Sequence, residues 1–323
     1  MAALALAVAP VAAAAPASVG IFYYSWYGTP RIDGGYAHWN QGGHTPPRDI
    51  ASRFYPAGGL YSSSDGKVIR RQMQDMAHAG VDTVIVSWWG WGSPEDLRLP
   101  RVMAAAGRAG LKVAIHIEPY GGRTAASVAA DVEHLRTLGI TDYYVYGAMD
   151  IPALDWAIVR PSLVGVRLYA QTSLVGFALA GGFDGVYTYS VSSTTGVSFH
   201  LLCDQAHAAG LLCAPSVGPG FDASRATPDD YVRSRGRGAT YDSLWRHVLN
   251  AGADAVTITS YNEWHEGTQI EPARMLQTAE YESYDDAWGL HGRRAQSAYL
   301  DRTLYWARIY RAQRVAELGW VPG

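Results

Sequence analysis

A chain of 323 residues with 48% hydrophobic and 17% charged residues has the material for a sizeable core, and its composition excludes a disordered protein. A net charge of −3 argues against a nucleic-acid or anionic-membrane partner, which would need a basic surface. Eleven Trp and 21 Tyr stand against only 6 Phe, a surplus of rings with a flat apolar face and a polar handle that suits a half-wet groove as well as an ordinary core.

The opening residues MAALALAVAPVAAAAPAS are small, apolar and uncharged. Residues 1–17 read as a secretory leader that lacks its basic start, with an Ala-x-Ala cleavage site near Ala15 or Ala17. The expectation is a secreted or periplasmic protein. No later run approaches the ~18 uninterrupted apolar residues of a membrane span. After the leader, GIFYYSW (20–26) is the first predicted strand, followed by a Gly-, Pro- and His-rich segment, 28–66, of a length that compact domains reserve for function. VIRRQMQDMAHAG (68–80) has helical spacing and ends on Gly, as do 94–110, 126–139 and 198–210, each glycine standing where a helix C-cap takes a left-handed residue. Between and after these helices lie the apolar runs VDTVIVSWW (81–89), LKVAIHIE (111–118), DYYVYG (142–147), SLVGVRLY (162–169), FDGVYTYS (183–190), LLCAPSV (211–217) and DAVTITSY (254–261). They are rich in Val, Ile and Tyr and do not alternate strictly, the pattern of strands buried on both faces. Cys203 and Cys213 are no disulfide framework; they read as two buried thiols, with one bridge as the other possibility.

Strand and helix alternating through about eight cycles predict a single-domain (β/α)8 TIM barrel over residues 18–323. A doubly wound open sheet is the alternative, but no GxGxxG or GxxxxGK[ST] follows the first strand. In a barrel the C-terminal strand ends share one face, where the active site lies. Those ends carry Tyr24 and Trp26, then Trp89, then His116 and Glu118, then Tyr187 and Tyr189, and finally Asn262, Glu263, Trp264, His265 and Glu266. Paired carboxylates among aromatic rings are what glycosidic cleavage needs: one acid protonates the leaving oxygen, and a second group supplies or activates a nucleophile. Burial against the rings would hold a proton on one of them near neutral pH. Other chemistries lack their residues. Glu263-Trp-His265-Glu266 is not the HExxH of a zinc hydrolase, His38 and His44 have no third partner at ligand spacing, and no GxSxG marks a serine hydrolase. No metal and no cofactor is expected.

FYYSWYG (22–28), YAHWN (36–40), FDGVYTYS (183–190), PSVGPGFDASRATPDD (215–230) and ITSYNEWHEGTQIEPA (258–273), in that order along the chain, resemble glycoside hydrolase family 99, the family of endo-α-mannosidases and bacterial α-mannanases. The resemblance implies a metal-free (β/α)8 barrel that cleaves α-mannosidic linkages internally with retention. It implies that Glu263 acts as base on the sugar's own 2-hydroxyl, giving a 1,2-anhydro sugar, and that Glu266 is the acid/base. Glu118 matches a glutamate that binds the sugar at the cleavage subsite, and Tyr24 and one of Tyr187 or Tyr189 match active-site tyrosines. Trp89 stands where the mannan-cleaving members have tryptophan. His38, Trp39, His116, Asn262 and His265 complete the expected substrate-binding set. WWGWGSPED after the second strand and SVSSTTGVSFH after the sixth depart from the family pattern. The expected partner is α-mannan or a related oligosaccharide, and the expected state a monomer. The alternatives are a retaining endo-glycanase on another α-linked polysaccharide and a carbohydrate-binding barrel without turnover.

Overall fold

The computed structural model describes residues 17–228 and 231–317; residues 1–16 of the predicted leader and the last two residues of the 215–230 block lie outside them. Nine parallel strands form one sheet: β1 (Ser18–Tyr23), β2 (Thr83–Trp88), β3 (Lys112–Ile117), β4 (Asp142–Val145), β5 (Arg167–Gln171), β6 (Gly185–Tyr187), β7 (Leu212–Ala214), β8 (Ser216–Val217) and, later, β11 (Ala255–Ile258). Between β8 and β11, β9 (Phe221–Asp222) and β10 (Val232–Arg233) make a small antiparallel pair. In the large sheet β1 lies between β2 and β11, β7 pairs with β6, and β8 pairs with β11. Only Pro215 separates β7 from β8, so the two are one barrel position interrupted by a residue with no N–H to give, and the sheet closes through it as an eight-position (β/α)8 barrel. Pro215 still accepts from the Thr257 amide at 3.1 Å.

The predicted run 211–217 is therefore split, and the predicted fifth strand, 162–169, begins later, at Arg167. Arg160–Ser162 form a 3-10 turn around Pro161, and Gly165 is left-handed at φ 81°, so the apolar Leu163 and Val164 belong to the approach rather than to the strand. The helices follow the pattern closely: Gly66–His78, Pro94–Arg108, Ala125–Arg136 and Phe199–Ala208. Asp65, Ser93 and Thr124 cap the first three by accepting backbone amides, and Gly80, Gly110, Gly139 and Gly210 take positive φ just beyond each end. Ala298–Glu317 is a further helix past the last strand, fastened under the barrel by Tyr310 Oη donating to the Ala253 carbonyl at 2.9 Å.

Alternation along each strand sorts two cores. Val19, Ile21 and Tyr23, Val84 and Val86, and Ile115 and Ile117 point outward to the helices. Phe22, Tyr24, Ile85, Ala114, Tyr144, Tyr169, Tyr187 and Tyr189 fill the barrel, with Phe22 at the centre, 4.5 Å ring to ring from His116 and 5.1 Å from Tyr189. Cys203, on the sheet side of its helix, and Cys213, on the outer side of β7, stand 5.2 Å apart at Cα and form a disulfide, which corrects the expectation of two free thiols. Among the described residues, no helix is long and apolar enough to cross a membrane.

Candidate active site

The strand ladders run past the strand ends and deliver side chains to the C-terminal mouth. Glu118 N donates to the Trp88 carbonyl at 3.1 Å, Tyr146 N to Ile117 at 3.1 Å and Tyr261 N to Phe22 at 2.8 Å. Inward register then aims Tyr24, His116, Glu118 and Tyr146 into one cavity of about 160 Å³. Its lining is Tyr24, Trp26, Trp89, His116, Glu118, Pro119, Tyr146, Tyr189, Glu263 and Glu266.

Glu263 and Glu266 arrive on a loop, 260–271, pinned at its base. Ser260 N donates to the Thr268 carbonyl and Ile270 N to the Ser260 carbonyl, each at 2.9 Å. The amide side chain of Asn262 clamps this loop to the end of β1, accepting from Tyr24 N at 2.7 Å and donating to the Tyr24 carbonyl at 2.8 Å. Gly267 is left-handed at φ 62°, and a Cβ there would meet the Asp222 carbonyl oxygen at 3.0 Å, which brings the loop hard against β9; Asp222 N donates to the Glu266 carbonyl at 2.8 Å. Glu263 Oε1 accepts from His265 N at 3.0 Å.

The third carboxylate of the stretch, Glu271, is not in the cavity. It is buried beneath, accepting from Tyr61 Oη at 2.7 Å, Gln72 Nε2 at 3.0 Å, and Arg71 Nη2 and Trp264 Nε1 at 3.1 Å each.

Glu263 and Glu266 are buried side by side, which makes their joint ionisation costly. Burial, and then the neighbouring Glu266, raises Glu263 well above the usual carboxylate range, with Glu118 adding to it. Burial, then Glu118, pushes Glu266 up to about 7. The pair therefore holds at least one proton at neutral pH. Glu118 is oriented by Ser87 Oγ, which donates to its Oε1 at 2.8 Å, and His116 Nδ1 stands 3.0 Å from the same oxygen, off the line of a hydrogen bond. Tyr24 and Tyr189 meet hydroxyl to hydroxyl; burial first, then the surrounding glutamates, keeps the Tyr24 hydroxyl protonated far above neutral pH.

Of the residues expected at the site, Tyr24, Trp89, His116, Glu118, Tyr189, Glu263 and Glu266 line the cavity. Tyr187 lies one layer down, its hydroxyl 2.9 Å from His116 Nε2. Asn262 is spent on its clamp. Trp39 packs behind the wall, stacked on Tyr27 at 4.1 Å and donating to the Tyr61 carbonyl at 3.0 Å. His38 and His265 stand behind Trp26 and Glu263: the His38 ring stacks on Trp26 at 4.5 Å, and its carbonyl accepts from His265 Nε2 at 2.6 Å. Trp26, expected at the first strand's end but not among the substrate-binding residues, and Tyr146, not expected, also line the cavity. Both follow strand ends by the same inward register as Tyr24 and Glu118, which was the signal available for them.

The model of glycosyl hydrolase family 99 matches residues 16–312. A Danio rerio protein named glycoprotein endo-alpha-1,2-mannosidase-like protein is 32% identical over 360 residues, covering 92% of this chain and 79% of the relative. The Xenopus laevis glycoprotein endo-alpha-1,2-mannosidase is 32% identical, covering 91% of this chain and 77% of its own. The solved structure of the family 99 endo-alpha-mannosidase from Bacteroides thetaiotaomicron matches with a TM-score of 0.83 at 30% identity, over 92% of this chain and 98% of that one. A structure described as a glycoside hydrolase-like protein, 13% identical with a TM-score of 0.62, shares the barrel fold. With the barrel, the carboxylate cavity and these likenesses in agreement, the chain belongs to glycoside hydrolase family 99 and is a glycoside hydrolase.

Proposed function

We propose that the protein cleaves α-mannosidic linkages within α-mannan or mannose-containing glycans, with retention of configuration. The observation that carries this reading is the convergence of Glu118, Glu263 and Glu266 on one cavity walled by Trp26, Trp89, Tyr24 and Tyr189. The similarity to proteins named endo-alpha-1,2-mannosidase supports the substrate class. Endo action is supported by a second hollow, of about 460 Å³, that borders the cavity through Tyr189 and is lined by hydroxyl and amide groups from Thr172, Ser173, Thr194 and Gln205.

In the proposed reaction Glu263, ionised, takes the proton of the bound sugar's 2-hydroxyl. O2 attacks C1 as the C1–O bond to the leaving sugar breaks, and Glu266 gives its proton to the departing oxygen. Water then enters on the opposite face of the 1,2-anhydro sugar. Glu266 takes its proton, the C1–O2 bond opens, and O2 recovers a proton from Glu263. Two inversions give net retention, with the sugar's own oxygen in place of the usual enzyme nucleophile. The required microstate, Glu263 ionised and Glu266 protonated, carries one proton; burial and Glu266 hold that proton by preference on Glu263, so the reaction requires it to pass to Glu266 once the sugar is bound.

The test is turnover of α-mannan by Glu263→Gln and Glu266→Gln, with the released oligosaccharides mapped across a panel of α-linked glycans. Each substitution is expected to lower kcat by about 10²–10⁴-fold. Wild-type turnover in either variant would refute its assigned role, and preferential release from a non-mannose polymer would favour the other α-glycanase. Tight glycan binding with no product from the wild-type protein would indicate a binding barrel. We also place the protein outside the cytoplasm, a location supported by the Cys203–Cys213 bridge.

A further inference from the structure

His265 lies beside Glu263 with its two ring nitrogens in unlike surroundings. Nε2 is 2.6 Å from the His38 carbonyl oxygen, which can only accept, so Nε2 carries a hydrogen. His38 sits in a left-handed backbone conformation, φ 63°, and its ring is stacked on Trp26, so the carbonyl is held in place. Burial lowers the imidazole's affinity for a second proton, to a pKa of about 4. At neutral pH the ring is therefore neutral, and Nδ1 bears a lone pair. That lone pair stands 3.4 Å from Glu263 Oε1, the same oxygen that accepts the His265 backbone amide at 3.0 Å.

The consequence depends on the state of Glu263. Against the carboxylate, lone pair faces lone pair and the contact is repulsive. Against the carboxylic acid, a closer approach than the 3.4 Å seen here would give the Glu263 hydroxyl an acceptor. We infer that His265 is a positioning residue that strengthens Glu263 as a base: its Nδ1 receives the hydrogen bond of the Glu263 carboxyl once that carboxyl has taken the sugar's 2-hydroxyl proton. The proton stays on Glu263 and returns to O2 in the second step, so His265 gains and loses none. The inference rests on Glu263 being the base.

Other groups face this pair and set the background. Glu266 and Glu118 lie across the cavity, Tyr24 and Tyr189 stand over it from β1 and β6, Tyr27 lies beneath Glu263, and His38 with the charge of Arg98 lies behind His265. None of these, in the contacts described, presents a lone pair to Glu263 Oε1 as His265 Nδ1 does.

Two substitutions separate the nitrogens. In His265→Gln the side-chain amide reaches as far as Nε2 and keeps a donor for the His38 carbonyl, but the acceptor near Glu263 is lost. In His265→Asn a carbonyl oxygen sits near the Nδ1 position, and the bond to His38 is lost. The experiment measures kcat and kcat/KM against pH on α-mannan oligosaccharide for wild type, both variants and Glu263→Gln, with thermal unfolding alongside. His265→Gln is expected to lose about tenfold in kcat, with KM little changed, and to move the acidic limb of the profile to lower pH. His265→Asn is expected to recover most of the rate and restore the limb. An unmoved acidic limb in His265→Gln, or a His265→Asn variant as slow as His265→Gln at equal folded fraction, overturns the inference. If Glu263→Gln itself turns over normally, the reading of Glu263 as base has failed instead. Should His265→Gln not fold, a wild-type limb and rate in His265→Asn support the acceptor role, and a displaced limb there contradicts it.

Discussion

Glu266 is costly to keep ionised in this fold, and the sign of that cost can be followed through pH. Its carboxyl is raised from 4.5 to about 7 by burial and by Glu118. A carboxyl raised on folding contributes stability that is present below about 4.5 and lost as pH rises through about 7. Glu266→Gln, which never ionises, is therefore expected to be more stable than wild type at pH 8 by roughly 1–3 kcal/mol, read as a melting temperature several degrees higher. The advantage should shrink toward pH 5; equal melting temperatures at both pH values would contradict the assignment. Activity has the matching dependence: the acid form of Glu266 is needed, so kcat/KM should fall as pH rises above about 7. At this scale the sequence was legible for groups that reach the cavity along a strand. It was less so for Asn262, which has the chemistry of a sugar ligand but whose amide pairs with the Tyr24 backbone. Residue type alone does not separate a clamp from a ligand. Register does, which is why Tyr146 belongs with Tyr24 once the fourth strand is placed.

The loop after β11 is the element that makes the site, and Glu271 is its anchor. Three of its donors, Arg71, Gln72 and Tyr61, come from other parts of the wall, and the fourth, Trp264, from the loop itself. Glu271→Gln replaces an acceptor with a donor facing donors. It is expected to cost about 2–4 kcal/mol in denaturant unfolding, reduced somewhat because Arg71 is half exposed. A loss below about 0.5 kcal/mol would show that the network is not what holds the loop. Spacing could not tell this carboxylate from the pair at the site, since all three follow the same strand within nine residues. The helices were legible because caps and terminal glycines agree with their apolar periodicity. The helix Ala298–Glu317 was not, since tyrosine, tryptophan and arginine pack along much of its length and no clean apolar stripe marks its buried face.

For the whole molecule, about eight alternating buried strands and amphipathic helices, with no phosphate-loop motif after the first strand, were enough to indicate a barrel, although closure itself rests on strand tilt and register that the pattern does not carry. Closure at Pro215 was not visible: a proline inside an apolar run reads as a strand end, and only pairing on either side shows one position shared by two short strands. The Cys203–Cys213 bridge ties the helix before β7 to the barrel wall across a separation of 10 residues. Replacing both cysteines with serine is expected to cost about 2–3 kcal/mol of folding stability in an oxidising buffer, and a reducing agent should remove the difference between variant and wild type. No change on substitution would mean the bridge constrains nothing the fold does not already hold. The central claim is the division of labour between the two glutamates. It is tested most directly by single-turnover fluoride release from an α-mannosyl oligosaccharide fluoride, whose leaving group needs no proton. Glu266→Gln should release fluoride at a rate within about tenfold of wild type while failing on the natural linkage, and Glu263→Gln should be slow on both. Rescue of Glu263→Gln by the fluoride, or equal loss in Glu266→Gln on both substrates, would contradict the account.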